Sequence, residues 1–504
     1  MDLRSGELLA AEEAAEELAL IASGVLSSFL GTTRVTRSPA AVIMAARRSP
    51  ERAEENSERA FSAPRRLPWP RGSFSTNEAK RMQKKTTRRS FLGSAVAGVA
   101  LPAVFPGGFL RAASPNERVL TGHIGLGGMG TGHLNFFRDH AAALCDVDSD
   151  HLDRAAAIIG RYVPKYRDFR DLLDQKNLDG VVIATPDHWH GVMAVLACEA
   201  GKDVYVQKPA SVTIEEGRAM VNAAQRCGRV MQVGSQGRST PAAYQSAAFI
   251  QNGEIGRVRE VDCWHVENPV GGFQPTTAAP TKLDWDLWLG PMRHTDYNVE
   301  RVHFNFRWFV EFGGGQIRDR GAHVLSCALF ILDADNRGPV WIEATGSPPQ
   351  KGLWDCPTKM EIKYVFEDPD LVIYWRQPGN ARDPFKNRDF GARYLGERGE
   401  LVVGGGDGGT YAEPRAAEYE IPAGGKQPYR SPGHEQNWVD CIRSRKKPIM
   451  TIEAGHAVCV LCVLGNISYR LGRGLRWDAA NERVLGDEEA NRLLARPNRA
   501  PWRI

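Results

Sequence analysis

The chain has 504 residues, 42% of them apolar and 25% charged, with 64 basic side chains against 60 acidic ones. That is material for two to four domains with real cores, which excludes an overall disordered chain. The basic excess sits in residues 1–113, with 17 basic against 11 acidic; the remaining 47 against 49 leave no basic footprint for nucleic acid.

Residues 1–81 are rich in Ala, Glu and Arg without a sustained period, and read as a disordered or mis-called extension with Met82 as the true start. Residues 82–113 read as an export segment. They carry the pair Arg88-Arg89, an apolar run from Phe91 to Phe105 and small residues at Ala112-Ala113. The run falls short of the roughly 20 apolar residues of a spanning helix. We therefore expect folded export by the twin-arginine machinery to the periplasm, with a tether to the inner membrane if the signal is not cleaved. Nine scattered cysteines, an odd number, argue against a disulfide framework. Cys459-Val-Leu-Cys462 lies in an apolar helical pattern, where i and i+3 share a face, and reads as core.

From residue 114 to 238, short apolar runs alternate with amphipathic segments. Strands are predicted at 119–124, 142–146, 180–185, 203–207 and 229–233, and helices at 128–138, 149–160, 168–175, 190–200 and 213–227. This is the pattern of a parallel sheet with crossover helices, a Rossmann dinucleotide-binding domain. A helix follows at 241–252. Residues 239–504 then give longer strands of alternating polarity at 258–266, 340–345, 360–366, 372–376 and 400–403. They predict an α+β domain with a large open, mainly antiparallel sheet. Two late helices at 434–445 and 452–471 are expected to pack back on the first domain.

Gly125-Leu-Gly127-Gly128-Met129-Gly130 follows the first predicted strand and opens the first helix, and Asp146 ends the next strand 21 residues after Gly125. In that context the glycines serve a tight turn, close approach to a pyrophosphate and helix packing, with the phosphates on the helix N-terminus. A carboxylate at Asp146 binds ribose hydroxyls and repels a 2′-phosphate, so NAD is favoured over NADP. Thr185, Pro186 and His190 follow the fourth strand and, with Lys208 after the fifth, are expected beside the cofactor. His188 and His190 lack a third metal ligand, and no metal site is read from the sequence.

Lys208, in Gln207-Lys208-Pro209, leaves the fifth strand at the carboxyl edge, where open α/β sheets place ligands. Asp319 and His323 stand four apart near a predicted helix start, so that a carboxylate can orient an imidazole acting as general base. Arg307, Trp308 and Arg320 are candidate substrate contacts, the tryptophan as a stacking face and Arg320 as a cation for an anionic substrate.

These motifs, in this order, resemble the Gfo/Idh/MocA oxidoreductases from Arg118 to the C-terminus. The resemblance implies an NAD(P)-dependent enzyme oxidising a secondary alcohol of a sugar, sugar derivative or cyclitol. It also implies a homo-oligomer formed through the C-terminal sheet. Carried over by position, Lys208 hydrogen-bonds the reacting oxygen, His323 takes its proton and Asp319 orients His323. Gln207 departs from the family's usual glutamate before that lysine, which removes a carboxylate from behind it. An exported enzyme has no nicotinamide pool, so the cofactor should stay tightly bound and be regenerated in each turnover. The family contains such redox-neutral enzymes, sugar–sugar oxidoreductases and NAD-dependent glycosidases. A protein that binds NAD or a glycan without catalysis is the remaining alternative.

Overall fold

The computed structural model describes residues 118–379, 389–404 and 411–504; the expected extension and export segment lie outside the described residues. The first sheet has six parallel strands, β1 (Thr121–Ile124), β2 (Ala141–Cys145), β3 (Lys165–Tyr166), β4 (Gly180–Ile183), β5 (Asp203–Gln207) and β6 (Met231–Gly234), in the order β3-β2-β1-β4-β5-β6. β1, β4, β5 and β6 are buried along their whole length. Helices cover both faces of such a sheet, so its strands are apolar runs rather than alternating ones. The helices are α1 (Gly128–Phe136), α2 (Ser149–Ile159), α3 (Phe169–Leu173), α4 (His190–Glu199) and α5 (Ile214–Cys227). Strand order reverses between β1 and β4, which opens a crevice at the carboxyl ends. Local chemistry sets the helix ends: the Thr213 hydroxyl accepts from the Glu216 N–H to start α5, and Gly228 at φ +60° stops it.

After α6 (Pro241–Gln251) the chain enters a nine-stranded sheet. Its strands are β7 (Val258–Trp264), β8 (Trp341–Ser347), β9 (Lys359–Phe366), β10 (Leu371–Gln377), β11 (Gly391–Gly396), β12 (Gly399–Gly404), β13 (Tyr411–Ala412), β14 (Leu475–Asp478) and β15 (Arg483–Val484). They are ordered β13-β12-β11-β7-β10-β9-β8-β14-β15, and among the described residues only the β7–β10 pair is parallel. β9 alternates, with Met360, Ile362, Tyr364 and Phe366 buried and the residues between them exposed or half-buried. One face of the sheet is therefore core.

Two late helices, α8 (His434–Ser444) and α9 (Ile452–Leu471), follow α7 (Arg320–Ile331) in the chain; both pack on the first domain, and α9 also reaches this sheet. α9 crosses from one sheet to the other. A Cβ on its Gly455 would lie 2.4 Å from Val233 of β6, and one on its Gly465 would lie 2.5 Å from Ile362 of β9. α9 is apolar and long enough to cross a membrane, but 78% of its apolar window is buried in the fold, which makes it a core helix. Cys459 and Cys462 both lie in its buried face, and all nine cysteines are free. α8 sets Trp438, fully buried, edge-on to Phe137 at 5.7 Å and near Tyr205 at 5.8 Å. Trp438→Ala should destabilise the protein by about 3–5 kcal/mol, read as a lower urea midpoint; an unchanged midpoint would contradict this packing.

Candidate active site

Gly125 has φ +84°, and a Cβ there would lie 2.7 Å from the backbone of Ala184 and Thr185. A Cβ on Gly130 would fall 1.9 Å from the Gly125 carbonyl oxygen, whereas Gly128 faces open space. α1 begins at Gly128, and its N-cap Gly127 has no side chain to cap with, so the amides of Gly128, Met129 and Gly130 are left for an anion. The turn is thus a cradle that side chains would fill, and it fits a dinucleotide pyrophosphate. Gly130→Ala should lower dinucleotide affinity at least about 100-fold, measured by calorimetry, because the helix must move off its turn. Wild-type affinity would refute that.

Asp146 is 8% exposed at the end of β2. It accepts from Leu126 N–H at 2.6 Å and Asp148 N–H at 2.8 Å, and pairs with His151 Nδ1 at 3.2 Å. The glycine turn and this carboxylate are therefore one rigid unit, the geometry a ribose recogniser needs.

The loop after β4 stands across the crevice. Thr185 borders Gly125 through its backbone nitrogen, and Pro186 follows it in the same loop. His190 serves another purpose: its ring lies between the carbonyl oxygens of Pro209, at 2.7 Å, and Thr185, at 2.9 Å. Burial pushes this imidazole down to about 4 although both carbonyls oppose the shift, and the ring braces the β4 loop against the β5 loop rather than reaching outward. His188 donates to the Trp288 carbonyl at 2.9 Å in a buried contact.

Asp187, which the sequence reading passed over, is 6% exposed in the same loop. Burial pushes its carboxyl up to about 7 against the pull of Arg318, Arg307 and Lys208, with Asp319 adding to the rise. A carboxyl raised on folding contributes stability that is complete below its unfolded value and is lost as pH climbs through about 7. Asp187→Asn should accordingly raise the melting temperature more at about pH 8 than at about pH 4; the reverse order would contradict this.

Lys208 stands at the end of β5, and its Nζ donates to Asp319, a contact only a tenth exposed on either side. Arg307 Nε lies 3.4 Å from the other Asp319 oxygen. Burial pushes the Asp319 carboxyl up, but Lys208, Arg307 and Arg320 outweigh it and hold it well below the usual range. Asp319 is the N-cap residue of α7, yet its side chain makes no cap bond. The helix forgoes about 1 kcal/mol of capping and the carboxylate becomes the counter-ion of Lys208. The sequence spacing and the family resemblance also expect it to orient His323, whose imidazole it pulls upward. One turn into α7, His323 is 1% exposed, and burial, then Lys208 and Arg320, push its imidazole well below the usual value while Asp319 opposes them. A neutral imidazole can accept a proton.

Behind Lys208, Gln207 Oε1 accepts the Lys208 N–H at 2.9 Å, and Gln207 Nε2 donates to His133 Nε2 at 2.6 Å. His133 Nδ1 then faces Glu435 at 3.4 Å. Burial raises Glu435, but its hydrogen bond and charge pairing with His133 dominate and hold it at about 2. The carboxylate missing at position 207 thus reappears two hydrogen bonds away, on α8. Of the three expected substrate contacts, Trp308 is buried and packs toward Trp354 at 5.8 Å, which removes its face from any sugar. Arg307, over the Phe304 ring at 4.4 Å, and Arg320, over Phe390 at 5.6 Å, remain with the charge cluster.

Two family models match this chain. "Oxidoreductase family, NAD-binding Rossmann fold" covers residues 119–235, and "Oxidoreductase family, C-terminal alpha/beta domain" covers 268–504. Over 147 residues the chain is 31% identical to a glycosyl hydrolase family 109 protein of Shewanella pealeana, spanning 27% of this chain and 32% of that one. Over 197 residues it is 30% identical to an inositol 2-dehydrogenase of Salmonella paratyphi B, spanning 36% of this chain and 57% of that one. The match therefore spans about a third to just over half the length of these relatives. The fold is similar to that of the WlbA dehydrogenase from Bordetella pertussis in complex with NADH and UDP-GlcNAcA, with TM-score 0.53 and 19% identity over 72% of this chain and 99% of that one. With an NAD-binding first domain and a second domain of the matching kind, the chain belongs to the Gfo/Idh/MocA oxidoreductase family.

Proposed function

We propose that the protein is an NAD-dependent oxidoreductase acting on a secondary alcohol of a sugar, sugar derivative or cyclitol. The observation that carries this reading is the Lys208–Asp319 pair with neutral His323 nearby, at the carboxyl end of a sheet whose first turn is a dinucleotide cradle. Lys208 donates a hydrogen bond to the reacting oxygen and stabilises the negative charge that grows there as the O–H bond breaks. His323 takes the hydroxyl proton. Asp319 holds the ammonium in place, and Arg307 lies beside the other Asp319 oxygen. The Gly125–Gly130 turn and Asp146 would hold NAD, which would supply the hydride acceptor for the carbinol carbon. The inositol dehydrogenase relative supports a polyol substrate.

A second reading is redox-neutral: oxidation and re-reduction in one turnover on a retained NAD, as in a glycosidase or a sugar–sugar oxidoreductase. The match to a glycosyl hydrolase family 109 protein favours it, as does the Arg88-Arg89 motif, which we take as a signal for twin-arginine export to the periplasm. In that setting a homo-oligomer forms through the open face of the nine-stranded sheet, where Lys359 and Glu361 alternate with buried neighbours.

The two readings separate on denaturing the purified protein and quantifying released NAD(H), then assaying a sugar and cyclitol panel for product. Stoichiometric release with no net nicotinamide reduction supports the second reading. Net reduction of added NAD supports the first. Neither bound nor usable NAD would remove both.

A further inference from the structure

Outside the reacting end, the ribose rim of the cradle carries a second cluster of chemistry-bearing side chains. Asp148, His151 and His303 each offer one ligand atom, and these atoms all lie within 4.8 Å of one another. Asp148 and His151 come from the start of α2, and His303 from the second domain. His303 Nε2 lies 3.6 Å from Asp148 Oδ2, and the His151 and His303 ring centroids are 4.9 Å apart. A tetrahedral zinc ion with bonds of about 2.1 Å wants its ligand atoms about 3.4 Å apart, which small side-chain rotations supply here.

Two further observations point the same way. His151 pairs through Nδ1 with Asp146, at 3.2 Å, the carboxylate–imidazole arrangement that fixes a ligating histidine and leaves Nε2 for a metal. His303 holds φ +51°, a left-handed backbone that a non-glycine residue keeps only where its surroundings impose it. Asp148 is buried, while His303 is 44% exposed, so an ion has a way in and water can complete the coordination.

We propose that Asp148, His151 and His303 bind one divalent transition-metal ion of the zinc class, which ties the second domain to the ribose rim of the dinucleotide cradle. Two imidazoles and one carboxylate suit such an ion better than magnesium or calcium, which prefer all-oxygen ligands. The tie slows dinucleotide escape, and this consequence alone rests on the NAD-dependent function proposed above.

The test is calorimetric titration of chelator-treated protein with zinc, alongside Asp148→Asn and His303→Asn. Asparagine preserves the helix cap at 148 and tolerates the left-handed backbone at 303, so both variants should fold. The expected result is one saturable equivalent per chain, weakened at least about tenfold in each variant. No saturable binding, or binding unchanged in both variants, overturns the site. A second measurement, the release rate of bound NAD before and after chelation, should rise on chelation; an unchanged rate with zinc bound overturns the tie. If the protein holds no NAD, the zinc titration still reads the site.

Discussion

Replacing Lys208 with methionine should lower kcat by about three orders of magnitude, the loss seen when a preorganised donor to a developing oxyanion is removed. Methionine keeps most of the apolar stem and deletes the ammonium. The amide that links Lys208 to Gln207 is backbone and survives, so the β5 end keeps its shape. Dinucleotide contacts at the Gly125–Gly130 turn and Asp146 are untouched, and affinity for NAD should stay within about threefold by calorimetry. A matching collapse of NAD binding would mean that Lys208 holds the fold or the cofactor and not the reacting oxygen. A kcat near wild type would remove it from the chemistry.

The second large effect is expected at Asp319. Asparagine keeps the shape but deletes a buried negative charge shared by Lys208 and Arg307. Stranding the partner of a buried ion pair costs about 3–5 kcal/mol, so the urea midpoint of Asp319→Asn should fall markedly. Activity should fall by about two to three orders of magnitude, because Lys208 loses its anchor and His323 loses the one neighbour opposing the downward push on its proton affinity. The pH profile distinguishes this from simple loosening: as His323 becomes a weaker base, the acidic limb of kcat/KM shifts to lower pH. A stable variant with unaltered kcat and limb would contradict the role given to the carboxylate.

How much of this was legible in the sequence depended on whether a constraint is local. Gly125 and Gly130 are forced by a positive φ and a backbone contact within six residues, so the cradle can be read from the chain. The buried runs Gly180–Ile183 and Asp203–Gln207 and the Thr213 and Thr451 caps are equally local. β3 has two residues and β15 has two, too short to impose a period, and β11 opens and closes on glycine, which reads as turn.

At the site the failures were long-range. His190 sits where a cofactor contact would sit, but which way an imidazole faces depends on Pro209, and spacing says nothing of that. Trp308 reads as a stacking face until Trp354 covers it. The spacing of Asp319 and His323 is helical and true, yet the stronger demand on that carboxylate comes from Lys208, on the other domain. Glu435 compensates for Gln207 through His133, three residues that are remote in sequence and joined only by the docking of α8. Asp187 was inside a recognised motif; its burial among three cations made it notable, and burial is a property of the assembled fold.

The central claim is that Lys208 and His323 serve hydride removal from a carbinol carbon. The most direct test mixes NAD-loaded protein with sugars and cyclitols deuterated at the carbinol carbon and follows reduced nicotinamide by its near-ultraviolet absorbance in a single turnover. A transient or lasting rise is expected, slowed by the deuterium and absent in Lys208→Met. No rise with any polyol in protein shown to carry NAD, or a rise of wild-type rate in Lys208→Met, would contradict it.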